Sequence, residues 1–155
     1  MKKNEMGYYF EDYEIGESII HSKSKTIFES DNNIFSLLTM NHHPVHINTH
    51  YALKSHHKEI LVVGTLVFSL AVGLTVSDIS GKAIANLSYD RINHIEPVFI
   101  GDTIYVRSKV LNKEHSKSKG NLGKIEFESI GSNQNNKDVI SFTRKILIKK
   151  RGRND

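Results

Sequence analysis

The segment from Ile60 to Ser77 is eighteen residues long, carries no charge and is built mostly of Leu, Val, Ala and Phe. That length reaches the minimum for a membrane-spanning helix. Gly64, Thr65, Ser69, Gly73, Thr75 and Ser77 dilute its apolarity, however, and the sequence after it reads as sheet. The pattern therefore predicts a buried core helix from Gly64 to about Ile79, with no membrane span. A helix that is apolar nearly all round cannot face water and must be wrapped by other elements. Thr65, Ser69, Gly73 and Ser77 recur every four residues and share one stripe. Such a stripe suits close packing on a sheet, or the approach of a narrow ligand.

What surrounds this helix fixes the architecture. Asp12, Gly16 and Glu17 make a turn, and Ser18 to Phe28 then reads as a strand. Glu29 to Thr39 has acidic residues at its start and Ile34, Phe35, Leu37 and Leu38 as an apolar face, which predicts a short helix. Met40 to Ile47 is expected as a loop fixed by Pro44, after which Asn48 caps a second short helix through Tyr51, Ala52 and Leu53. Beyond the long helix, four strands are expected at about 83–92, 103–113, 124–132 and 138–149, separated by Gly-, Asp- and Asn-rich turns. One strand, a helical insert and a run of antiparallel strands describe an α+β hot-dog fold. Its sheet wraps one long buried helix, and a short helical overhang carries the loop around Pro44. Such a sheet leaves open edges, so a homodimer or a higher homo-oligomer is expected.

The length of 155 residues suits one domain, expected over residues 1–150 with a basic tail at 151–155. The absence of cysteine excludes disulfides, iron–sulfur clusters, thiolate zinc sites and cysteine nucleophiles. The polar, acidic opening from Met1 to Glu17 lacks the apolar run of a secretory leader, so a cytoplasmic location is expected. The net charge of +4 is unevenly spread. Residues 144–155 hold six basic side chains against one acid, while the other 143 residues hold 15 against 16. The positive charge thus belongs to one end. It lacks interleaved aromatics, which argues against a nucleic-acid partner, and a solvated edge is expected instead.

Six of the nine histidines fall between His42 and His57. A zinc site would need His42 or His43 with His46 and His50, the last two being four residues apart. Pro44 breaks any helix shared by the first and last of these, and no carboxylate stands near to complete or orient the set, so no metal is expected. A surface loop that is merely rich in histidine is one remaining reading. A catalytic imidazole is the other.

Four blocks in order decide between them. These are residues 9–17 (YFEDYEIGE), 38–48 (LTMNHHPVHIN) with Tyr51 and Ala52, Gly64 to Gly73, and 96–103 (EPVFIGDT). Together they resemble the MaoC-like dehydratases, which include the (R)-specific enoyl-CoA hydratases, over about residues 9–150. Within that family Ile84 to Leu87 and Phe142 to Lys150 most resemble the mesaconyl-CoA and itaconyl-CoA hydratase branch.

The resemblance implies addition or removal of water across the α,β double bond of a short, branched dicarboxylic enoyl-CoA. No cofactor is implied, and acyl-CoA is the implied substrate. His46 is the implied base, and Gly64, with Thr65 as a second candidate, the implied donor to the thioester oxygen, with the helix dipole behind it. Pro44 and Val63 are the implied substrate-binding residues. The family's aspartate five residues before the histidine is replaced here by Asn41, an amide that exchanges no proton near neutral pH. Either Asn41 positions the water while His46 does all the proton transfer, or His43 supplies the missing group. A hot-dog thioesterase and a non-catalytic acyl-CoA-binding protein are the alternatives. Arg91, Arg107 and Arg144 are candidates for the CoA phosphates and, more simply, solvated sheet residues.

Overall fold

The structure is a computed structural model and describes residues 6–152. Its centre is an antiparallel sheet built from β1 (Ser18–Ile20), β2 (Lys25–Thr26), β3 (Ala83–His94), β4 (Thr103–His115), β5 (Leu122–Ser132) and β6 (Asp138–Lys149). The strand order is β1-β4-β5-β6-β3, with β2 pairing beside β1 on the same edge of β4. Four helices stand between β2 and β3: α1 (Glu29–Leu38), α2 (Pro44–Ile47), α3 (Thr49–Leu53) and α4 (Gly64–Leu74). This is the hot-dog fold.

Alternation along β4 writes one side of the core. On β4 the residues Ile104, Val106, Ser108 and Val110 are buried, and every second residue between them is exposed. Val67, Ala71 and Leu74 of α4 pack on Ile104, Val106, Ile140 and Phe142. The helix covers only half of the sheet face. Its α-helical part ends at Leu74, a π-turn follows over Val76–Ser80, and Ile79 joins Phe10 and Tyr13 over Val110, Ile125, Phe127, Ile146 and Ile148. The second half of the core is thus closed by the N-terminal segment and the π-turn. Tyr13 holds the two together by donating its hydroxyl to the carbonyls of Asp78 and Ile79, and burial pushes its pKa up. The Phe10 ring lies directly on Gly123, where any Cβ would collide with it.

Between the two apolar clusters runs a buried polar seam. His21 bonds Asp78 through Nδ1 at 2.7 Å and Ser108 through Nε2 at 2.8 Å, and Ser108 in turn meets Ser129 at 2.7 Å. Arg144, expected as a solvated sheet residue, is 2% exposed. Its guanidinium donates to Asn86 Oδ1 from two nitrogens and to Thr75 Oγ1, at the C-terminus of α4 where the helix dipole favours a cation. Burial lowers its pKa, yet an arginine keeps its charge. Arg107 pairs bidentately with Asp138, and Arg91 is exposed with a φ of 52°.

Four further expectations are corrected by the tertiary structure. The strand over 18–28 is broken into β1 and β2, because His21 turns inward to the seam between them. Residues 44–47 are helical: Pro44 at the first helical position supplies a preset φ, and His43 Nδ1 accepts the Val45 N–H as a cap. Thr65, Ser69 and Gly73 face outward, away from the sheet. On α1 it is Asn32 and Ser36 that are buried, while Ile34, Leu37 and Leu38 are 58–78% exposed.

The cationic end lies far from the histidine loop. Lys150 and Arg151 lie over the rings of Phe10 and Tyr9, and Arg151 pairs with Asp12, beside the His115 end of β4. The helical insert meets the opposite end, through the pairing of Leu61 with Phe99 just before β4 begins. Thirteen residues of strand separate the two, roughly 40 Å. Arg151, expected in a free tail, is therefore engaged, and residues 153–155 lie outside the described residues.

Two surface ion pairs give a pH prediction. Lys25 bonds Asp31, which also accepts the Phe28 N–H, and Arg107 bonds Asp138 with help from Ser132. The Lys25 and Arg107 bonds, first among the causes, hold both carboxylates below their ordinary value of 3.8. A lowered folded-state pKa contributes stability that is complete above the ordinary value and lost as pH falls below about 4. Both pairs are solvent-screened, so each effect is small. Thermal melts from pH 7 to 2 should show Asp31→Asn and Asp138→Asn slightly less stable than the parent at pH 7, with the difference vanishing in acid.

Candidate active site

The histidine loop is positioned by a buried amide. Asn32, 1% exposed on α1, donates to the carbonyl of His46 at 2.9 Å and accepts the N–H of Val63 at 3.0 Å. One side chain therefore fastens the α2 turn to the head of α4. Asn32 is absent from the site residues expected from the sequence. Its signal was available in Asn32 and Ser36, two polar residues four apart on the face of α1 opposite Ile34, Leu37 and Leu38.

His46 is half-buried, and its Nδ1 lies 2.7 Å from the carbonyl of Leu61. A carbonyl can only accept, so Nδ1 carries the hydrogen and Nε2 keeps its lone pair in the neutral ring. This is the tautomer of a general base. His43 stands differently: its Nδ1 lone pair is taken by the Val45 N–H, and its ring lies 6.1 Å from that of His46 and 6.0 Å from that of Tyr51. Protonating that nitrogen would undo the cap of α2.

Pro44 opens α2 and is half-buried, Asn41 lies half-buried before it, and Val63 is buried at the N-cap position of α4. Gly64 and Thr65 are the first two residues of α4, where N–H groups have no acceptor within the helix. Thr65 is exposed. Against Gly64 lies a ring that sequence reasoning missed. A Cβ at Gly64 would stand 2.9 Å from Cε1 and 3.1 Å from Nε2 of His94, the last residue of β3. Nothing local marked His94, since only the sheet brings it back to α4.

His42 and His50 are exposed, and His56 and His57 pack edge to face at 5.1 Å. Among the described residues no three His, Asp or Glu side chains converge on one point that could hold a metal ion. A recess lined by Tyr8, Asp12, Tyr13, Glu17, Ser18 and Ile19 involves none of the histidine-loop residues.

Fold and site together define a hot-dog domain with an imidazole, that of His46, held against the head of its central helix. The chain belongs to the MaoC-like domain family, whose model matches residues 11–131. It is 32% identical over 152 residues to a beta-methylmalyl-CoA dehydratase of Chloroflexus aurantiacus, covering 98% of this chain and 43% of the relative. A mesaconyl-CoA hydratase of Cereibacter sphaeroides is 32% identical over 149 residues, covering 96% and 43%. A solved MaoC domain protein from Chloroflexus aurantiacus superposes with a TM-score of 0.92 at 32% identity, over all of this chain and 44% of that one. The chain thus spans less than half the length of these relatives.

Proposed function

We propose that this domain serves a hydro-lyase that adds or removes water across the α,β double bond of an enoyl-CoA, with short, branched dicarboxylic acyl groups of the mesaconyl or itaconyl type as its substrates. The observation that carries this reading is His46, whose Nδ1–H is spent on the Leu61 carbonyl so that Nε2 keeps its lone pair and can act as a base. In hydration, Nε2 takes a proton from water as the water oxygen attacks the β-carbon. The π electrons move toward the thioester oxygen, which the Gly64 N–H receives with the α4 dipole behind it. Pro44 and Val63 flank the acyl group. The reaction needs no metal or organic cofactor, because the thioester itself activates the double bond.

The working unit in this reading is a homodimer or a higher homo-oligomer, in the cytoplasm. Ile34, Leu37, Leu38, Met40, Ile47, Tyr51 and Leu53 on the helical insert are 41–81% exposed. β3 presents an open edge with Ile84, Leu87 and Ile92 also exposed. So much apolar surface calls for a cover, and a second hot-dog unit would also account for relatives of more than twice this length.

Incubation of the purified protein with mesaconyl-CoA, itaconyl-CoA and crotonyl-CoA tests the activity. Absorbance of the conjugated thioester should fall with at least one. Release of free thiol without hydration would reassign the domain to thioester hydrolysis, and binding without turnover would make it an acyl-CoA-binding protein.

A further inference from the structure

We propose that His94 is a second acid–base residue of this site, making the proton transfer to carbon that Asn41 cannot make; the inference rests on the hydratase reading above. Adding water to an activated alkene needs two proton movements, one away from water and one onto the α-carbon. His46 is placed for the first. Asn41 is an amide and serves neither, and the His43 lone pair is committed to the cap of α2.

The remaining imidazole at the head of α4 is His94. Its backbone is fixed on the sheet by register with Ile140 of β6 and by the Ile95 N–H donating to the Val139 carbonyl. The ring lies on Gly64, with Cε1 and Nε2 closest to it, in space that any side chain at position 64 would fill. His94 is exposed, so a ligand can reach it. Its ring makes no hydrogen bond to the described residues, which leaves both nitrogens available. In this it differs from His21, His43 and His46, each tied to a neighbour.

Nε2 of His46 takes the water proton and the new C–O bond forms at the β-carbon. The π pair passes to the α-carbon and thioester oxygen. His94, entering as imidazolium, gives its N–H proton to the α-carbon and becomes neutral. His46 then loses its proton to solvent and His94 regains one, so the substrate gains one H and one OH.

The test compares the parent, His94→Gln, and His94→Gln combined with Asn41→Asp, on mesaconyl-CoA or whichever enoyl-CoA the parent turns over. His94→Gln should lower kcat by about 10²–10⁴-fold with the melting temperature unchanged, and Asn41→Asp in that background should restore at least about tenfold by supplying a carboxyl group. A His94→Gln enzyme within about threefold of the parent overturns the proposal, because general acid catalysis is worth far more than that. So does a loss that the new carboxyl group leaves untouched, which would make the role of His94 structural. A parent inactive on every enoyl-CoA overturns the hydratase reading itself, and this inference falls with it.

Discussion

On the proposed hydratase activity, His46→Ala should lower kcat for enoyl-CoA hydration by about 10²–10⁴-fold, the range typical for removing a general base. The fold should survive. The side chain contributes one hydrogen bond to Leu61, worth about 1 kcal/mol, while the clamp from Asn32 goes to the His46 backbone carbonyl, which alanine retains. The expected signature is therefore a near-normal melting curve with almost no turnover. Steady-state kinetics beside a thermal melt would check it, and a His46→Ala protein that keeps more than about a tenth of parental kcat would remove His46 from the role of base.

Phe142→Ala should give the largest loss of stability, about 3–5 kcal/mol. Phe142 is 1% exposed on β6 and meets Phe68 of α4 edge to face at 5.1 Å and Tyr89 of β3 at 6.4 Å. It therefore touches the sheet, the central helix and the strand that carries His94. Truncation removes the ring's transfer energy and leaves a cavity that three packed elements cannot close. Against a total stability of about 5–15 kcal/mol this is a large share, and the melting temperature should drop by roughly 6–20 °C. Phe142→Leu, which keeps most of the volume, should cost far less. Because Phe142 supports the floor under α4, activity of the alanine variant should fall well below its melting temperature, which assays across temperature would reveal.

Much of this was legible in the sequence, for reasons that can be named. The strands β3 to β6 were readable because alternation and turn residues are local signals; the 138–149 expectation coincides with β6, and the other three differ by a few residues at their ends. Asn48 caps α3 as expected, its Oδ1 taking the Tyr51 N–H. The expectation failed wherever a distant residue decided. The 18–28 strand breaks because Asp78 and Ser108 draw His21 inward from far along the chain. Arg144 is buried because the C-terminus of α4 and Asn86 of β3 receive it. The burial of α1 ran opposite to its apolar face, since this chain offers Asn32 two partners and gives Leu37 and Leu38 none.

The sequence by itself determined the family and the hot-dog layout and singled out His46 as the candidate base, because spacing around Pro44 and an uncharged helix are written in neighbouring residues. Only the tertiary structure decided which nitrogen of His46 is free, that Asn32 clamps the loop, and that His94 returns to Gly64. Each of those depends on groups brought together across the sheet or between helices. Hydrogen-bond direction and ring contact are properties of a pair in space, and no local pattern in the chain encodes them.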